Sequence, residues 1–84
     1  MLVQLPPFDA YMAKVAELVE AGQFSHTQLI ILRICYKATR AQSPKHFNYL
    51  QKATSQSKED LKWELNDLLR LGAIRQTEPN WYML

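Results

Sequence analysis

Leu50–Ile74, with the sequence LQKATSQSKEDLKWELNDLLRLGAI, is the stretch that decides the fold of this chain. Leu61, Leu65 and Leu68 recur in it at the spacing of one buried helical face. Gly72 predicts the end of that helix, because glycine readily takes the left-handed conformation common just after a helix. The two apolar residues that follow it predict the start of a strand. The stretch therefore predicts a helix, a tight turn, a longer helix and a strand, in that order.

This order resembles the helix-turn-helix core of winged-helix proteins, of the MarR-like and related kinds. The family's pattern has a small residue in the first helix, a capping Ser four positions later, apolar core residues beyond it, and a closing L-x-x-L-x-x-x-G with two apolar residues. The chain fills those places with Ala53, Ser57, Leu61, Leu65, Leu68, Gly72, Ala73 and Ile74. It departs from the pattern at Ser55, where the family often has the turn glycine, and at Gln56, where an aliphatic residue is usual. The resemblance implies a mainly α-helical winged helix-turn-helix with a small C-terminal β-hairpin, formed by residues 1–84 as a single domain.

The composition predicts an ordered, soluble chain. Apolar residue types make up 48% of it and Gly occurs only twice, which is typical of a mainly helical protein. The single Cys cannot form an internal disulfide. The longest aliphatic run, Leu29–Leu32, is far too short to span a membrane, and the residues before Pro6 carry no basic flank of a secretory signal. We therefore expect a cytoplasmic protein without a membrane partner.

Capping and turn signals divide the first half of the chain into two segments. Residues 1–22 are predicted to hold an extended lead-in and a helix, with Asp9 as its N-cap. Residues 25–40 are predicted to form a helix that Ser25 caps in a capping box with Gln28. This second helix is apolar nearly all round, so we expect it at the centre of the fold.

The second half holds the helix-turn-helix and the hairpin. Residues 44–71 are predicted to form the helix-turn-helix, with proline at the first helical position and a first helix over Lys45–Ala53. Ser57 is predicted to cap the second helix. Residues 73–84 are predicted to form a two-stranded hairpin, the wing, which reverses at Glu78–Asn80.

The resemblance implies a function in binding double-stranded DNA, as a transcriptional regulator. In the family the second helix of the motif enters the major groove, and residues near its N-terminus meet base edges. Further positive charge near the groove would come from Lys45, His46 and Lys52, and from the start of the wing. The predicted DNA-binding residues are Lys45, Ser57, Lys58, Glu59, Lys62, Asn66 and Arg75.

The charge of the second helix favours a different function. Residues 57–71 hold three basic and four acidic side chains, whereas most DNA affinity comes from neutralising phosphates.

Trp63 is two residues from Leu61 and two from Leu65, so it is expected to point away from the leucine face. An exposed tryptophan at such a position is typical of a protein-contact anchor. Packing under the first helix or the wing is the other interpretation. The wing itself is apolar and carries only Arg75 as a base. The alternative function is a winged-helix protein-interaction module, an assembly subunit or phage-type inhibitor of a larger complex, that does not bind DNA.

The first helix has two interpretations. In the related family, helices placed before the winged core often make dimer contacts, which implies a homodimer formed through Tyr11, Val15 and Leu18. The alternative is that this helix only covers the core of its own chain. With Trp63, these three are the predicted partner-binding residues.

Catalytic chemistry is not expected. The two His residues are separated by the whole central helix, and Cys35 lies in an apolar run that predicts a core position. The sequence has no Gly-rich phosphate loop and no pair of ligands at metal-binding spacing. We therefore expect no enzyme activity, no catalytic residue, no cofactor and no metal.

Overall fold

A computed structural model describes residues 5–84, so residues 1–4 of the predicted lead-in lie outside the described residues. The described part forms α1 (Phe8–Glu20), α2 (His26–Arg40), β1 (Lys45–His46), α3 (Phe47–Thr54), α4 (Lys58–Arg70), β2 (Arg75–Glu78) and β3 (Trp81–Met83). The predicted class, mainly α-helical with a small β element at the C-terminus, is confirmed. Among the helices of this part, none combines the length and apolar character that crossing a membrane requires.

Helix α2 lies at the centre of the fold, as its apolar circumference predicts. It contacts α1, α3, α4 and two strands of the sheet. Its side chains Ile31, Leu32 and Cys35 are fully buried. The predicted capping box is present: the Ser25 hydroxyl accepts from the Gln28 amide, and the Gln28 side chain accepts from the Ser25 amide. Both donors are groups that a helix start otherwise leaves without a partner.

The leucine face of α4 is buried, which confirms the helical register read from the spacing. Leu61, Leu65 and Leu68 are at most 1% exposed. They share one hydrophobic cluster with residues from every helix and from the sheet: Val15, Ile31, Leu32, Cys35, Phe47, Leu50, Ile74 and Tyr82.

The predicted helix ends and the motif's turn depend on left-handed backbone. Gly22 and Gly72 have φ of 78° and 75° just after α1 and α4. Ser55, which stands where the winged-helix proteins that the sequence resembles often have glycine, also has a left-handed φ of 55°. Ser55 therefore holds, in this turn, a left-handed backbone conformation that glycine adopts more readily than other residues. After the turn, the Ser57 hydroxyl accepts from the Asp60 amide at 3.1 Å and caps α4 as predicted.

The first helix of the motif begins later than predicted. Lys45 and His46 form β1 and pair with Tyr82 and Trp81 of β3, so their backbone is extended and not helical. Helix α3 starts at Phe47, and its N-cap is His46, whose Nδ1 accepts from the Asn48 amide at 3.1 Å. The prediction that proline occupies the first helical position is wrong, because strand pairing takes the residues that follow it.

The sheet consequently has three strands and not the predicted two. Its order is β1-β3-β2, with both pairs antiparallel. The predicted reversal between β2 and β3 is present, and Asn80 takes the positive φ, 70°, that the third position of a type II turn requires. The register of the β2–β3 pair shifts by one residue between Gln76 and Glu78.

One further local prediction is wrong. Asp9 does not cap α1: the N-cap is Pro7, whose carbonyl accepts from the Tyr11 amide at 2.9 Å, and Asp9 lies in the first turn. A carboxylate there still favours the positive end of the helix dipole. Near the end of α3, Ala53 is exposed, and its neighbour Thr54 is buried with its hydroxyl donating to the Leu50 carbonyl at 2.8 Å.

Candidate nucleic-acid interface

One side of α4 turns its carboxylates toward the start of α2. Gln28, only 3% exposed, donates from Nε2 to Asp67 Oδ2 at 2.9 Å and to the Glu64 carbonyl at 3.4 Å. The Ser25 hydroxyl donates to the Glu64 carboxylate, and Arg70 pairs with Asp67. Two of the four acidic residues of this helix are therefore bound within the chain itself.

The electrostatics of Asp67 follow from these contacts. The hydrogen bond from Gln28, followed by the one from Arg70, holds the pKa of the Asp67 carboxyl below its usual range, while partial burial works in the opposite direction. Asp67 is therefore ionised at neutral pH, and its charge is neutralised locally by Arg70.

The other side of α4 carries lysines beside a cleft. Lys58 and Lys62, one helical turn apart, line a cleft of about 240 Å³ together with residues of β1, α3 and the hairpin turn. None of the described side chains that line it is acidic. The described residues that line it are His46, Phe47, Asn48, Lys58, Lys62 and Asn80.

Strand pairing builds the wall of this cleft opposite α4. The Phe47 amide donates to the Asn80 carbonyl at 2.8 Å, which ties the start of α3 to the hairpin turn. The His46 ring packs edge-on against Trp81, with ring centroids 5.0 Å apart. These contacts hold Asn48 and Asn80 at the same opening as the two lysines. Two ammonium groups with amide donors nearby are suited to binding phosphate oxygens.

Of the remaining predicted DNA-binding residues, some lie near this cleft and others do not. Lys45 precedes the cleft on β1, and its ammonium lies 4.7 Å from the centroid of the Tyr49 ring. The Ser57 hydroxyl is engaged as the cap of α4. Arg75 begins β2, at the end of that strand away from the hairpin turn, and its Nε donates to the Leu84 carbonyl at 3.0 Å. The structure thus brings Lys58 and Lys62 together and leaves Arg75 outside the cleft.

The surface of α4 opposite its leucine face is open. Trp63 is 76% exposed, which confirms that it points away from the core and excludes packing under α1 or the wing. A shallow cleft of about 200 Å³ lies on one side of it, lined also by Glu59, Lys62 and Asn66. A second, of about 260 Å³, is lined by Trp63, Asn66, Asp67 and Arg70.

The predicted dimer residues of α1 pack on their own chain. Val15 is 4% exposed and belongs to the core, so it has little surface left for a partner. Tyr11 lies with its ring centroid 4.9 Å from that of Tyr36, and burial, with smaller effects of Cys35 and Tyr36, raises its pKa to about 12. Leu18 is half-buried. These positions fit the interpretation that α1 covers the core.

Asn48 and Asn80 are the candidate site residues that sequence reasoning missed. Their positions in the chain are far apart, and only the pairing of β1 with β3 brings them to one opening. The turn signal at Glu78–Asn80 located one of them, but no local pattern connects it to the start of α3.

Over residues 5–84, no group of three or more His, Cys, Asp or Glu side chains is placed to hold a metal ion. Comparisons with protein-family profiles, with curated protein sequences and with solved structures gave no significant match. The function has to be inferred from the geometry of the chain.

Proposed function

We propose that this chain is a winged-helix domain that binds double-stranded DNA through α4 and acts as a transcriptional regulator. Support comes first from the order of elements: α3, a tight turn, α4 and then a hairpin follow one another as the resemblance implies. The turn keeps a left-handed residue at its start, and α4 keeps its capping serine.

The observation that carries the proposal is the separation of charge around α4. The helix is acidic by count, yet Glu64 and Asp67 are taken up by contacts with the start of α2 and with Arg70. Lys58 and Lys62 lie on the other side, at a cleft whose described lining has no carboxylate. The charge available to a phosphate on that side is therefore positive.

The same geometry suggests how the duplex is held. With α4 in the major groove, Lys58 and Lys62 contact backbone phosphates, and the amide groups of Asn48 and Asn80 donate to the same strand. Lys45 extends the positive surface along β1. These contacts set the register of the helix on the duplex without reading its sequence.

Binding to random-sequence duplex DNA at low salt tests the proposal, because the non-specific electrostatic contribution is strongest there. Fluorescence anisotropy should show binding by the native chain and a loss of roughly tenfold or more for the double variant Lys58→Ala, Lys62→Ala. The matched control is Lys14→Ala, which removes an exposed lysine of α1 that lies 3.6 Å from Glu17. Its affinity should equal that of the native chain. Absence of duplex binding at low salt would remove the proposal.

A second function, as a protein-interaction module, is favoured by one observation, the 76% exposure of Trp63. Truncating a tryptophan that anchors an interface costs about 2 kcal/mol or more of binding free energy, so Trp63→Ala should then weaken binding of the partner roughly thirtyfold or more. Duplex binding and a pull-down from host lysate, each measured with both variants, separate the two functions. If the chain binds DNA, the lysine variant should lose more duplex affinity than Trp63→Ala. If it is an interaction module, Trp63→Ala should capture less of the protein partner than the lysine variant.

A further inference from the structure

Three side chains form the outward pole of α4, which we define as Glu59, Trp63 and Asn66. Successive residues of an α-helix are about 100° apart, so these three lie on the side opposite the buried leucines. They are all exposed, and together with Lys62 they line one shallow cleft. The pole therefore lies next to Lys62 on the same helix. It presents a carboxylate, an indole and an amide, whereas Lys58 and Lys62 present ammonium groups.

The pole is poorly suited to the sugar-phosphate backbone. Glu59 places a carboxylate one helical turn before Trp63, and a carboxylate repels phosphate. The indole of Trp63 presents a large apolar surface to water, which binding would cover. An apolar side chain in the major groove can pack on the C5 methyl group of thymine.

Asn66 adds a donor and an acceptor next to that indole. A side-chain amide can pair with adenine through N6 and N7 in the major groove, and this is the preferred partner of asparagine there. Asn66 follows Trp63 by three residues, so both side chains lie within about one turn of the helix. A thymine methyl and an adenine edge belong to A·T base pairs.

We infer that Trp63 and Asn66 of the outward pole read A·T base pairs in the major groove, with Trp63 on the thymine methyl and Asn66 on the adenine edge. The inference rests on the proposed function and assigns to Trp63 a role in sequence recognition. Lys58 and Lys62 supply affinity for the backbone, and the pole supplies the choice of sequence. Trp63 and Asn66 are thus the specificity-determining residues.

Base analogues test each contact separately. The full chain first selects its preferred duplex from a randomised library. In that duplex, single thymines are replaced by deoxyuridine, which lacks only the methyl group, and single adenines by 7-deazaadenine, which lacks the N7 acceptor. Affinities are then measured for the native chain, Trp63→Ala, Asn66→Ala and Lys62→Ala, after circular dichroism has shown that each variant is folded.

Each base analogue should weaken duplex binding only when the side chain that contacts the altered group is present. One deoxyuridine should weaken duplex binding by the native chain about fourfold, the effect of burying one methyl group. It should leave the affinity of Trp63→Ala unchanged. One 7-deazaadenine should weaken the native chain roughly five- to tenfold and leave Asn66→Ala unaffected. Lys62→Ala should bind more weakly overall while it keeps both sensitivities.

The two proposals fail in distinguishable ways. If duplex binding persists but selection enriches no A·T-containing site, or Trp63→Ala stays sensitive to deoxyuridine, sequence reading by the pole is overturned and DNA binding stands. If no duplex binds at low salt, both are overturned. Trp63-dependent capture of a protein in that case assigns the pole to a protein partner.

Discussion

Replacing Gln28 with alanine should destabilise the fold far more than an ordinary glutamine substitution. Its side chain accepts from the Ser25 amide at 3.0 Å and donates to Asp67 Oδ2 at 2.9 Å and to the Glu64 carbonyl at 3.4 Å. A neutral hydrogen bond contributes about 0.5–1.5 kcal/mol net, and one to a charged group about 1.5–3 kcal/mol. Since the longest of the three contributes least, we expect Gln28→Ala to lower the free energy of unfolding by about 2–3 kcal/mol.

Thermal unfolding followed by circular dichroism measures this loss. For a domain of this size about 1 kcal/mol shifts Tm by 4–8 °C, so the expected fall is roughly 10–20 °C. Gln23→Ala is the matched control, because Gln23 is exposed and should change Tm by only a few degrees. Equal, small shifts for both variants would show that Gln28 does not join α2 to α4.

The pH dependence of the same pair gives a second readout. The pKa of Asp67 is lowered in the folded chain, chiefly by Gln28, so its contribution to stability is present above the unfolded pKa of about 4 and is lost as the pH falls through the folded value. The stability difference between the native chain and Gln28→Ala should therefore be largest near neutral pH and should narrow in acid. A difference that grows in acid would contradict the assigned hydrogen bond.

Three further outcomes follow from the fold. Leu65→Ala should cost about 2–5 kcal/mol because Leu65 is fully buried, and an unchanged midpoint in thermal unfolding would show that the leucine face is not in the core. Ser55→Gly should stabilise the chain by up to about 1 kcal/mol in urea unfolding, since Ser55 holds a left-handed φ of 55°; a lower midpoint would contradict this reasoning. Burial raises the pKa of the Cys35 thiol to about 12, so a thiol reagent at pH 8 should modify the unfolded chain quickly and the native chain very slowly. Rapid modification of the native chain would place Cys35 outside the core.

Local patterns explain why much of the fold could be predicted from the sequence. The leucine spacing of α4 and the capping box of Ser25 with Gln28 each act within a few residues, and both are present. The strand β1 could not be predicted, because two residues carry no periodicity and their pairing partners, Tyr82 and Trp81, come almost at the end of the chain. The same pairing displaced the predicted start of α3.

Part of the candidate site could be predicted because it depends on a local pattern, and the rest depends on long-range contacts. Lys58 and Lys62 follow from their matched positions on the second helix of the motif. The side of the cleft that carries Asn48 and Asn80 depends on contacts between distant segments. The hydrogen bond that chiefly lowers the pKa of Asp67 depends on one as well, since its donor is Gln28 of α2. A count of charges along α4 could not show that Glu64 and Asp67 lie on a different side from Lys58 and Lys62.

The salt dependence of duplex binding shows whether the lysines beside this cleft neutralise DNA phosphates. Each phosphate contact adds about −0.9 to the slope of log K against log salt concentration, so contacts from Lys45, Lys58 and Lys62 predict a slope of about −2.7 for the native chain. Lys62→Ala should flatten that slope by about 0.9. Lys14→Ala should leave it unchanged. A slope for Lys62→Ala equal to that of the native chain, or no duplex binding even at low salt, would contradict the assignment of this face of α4 to DNA.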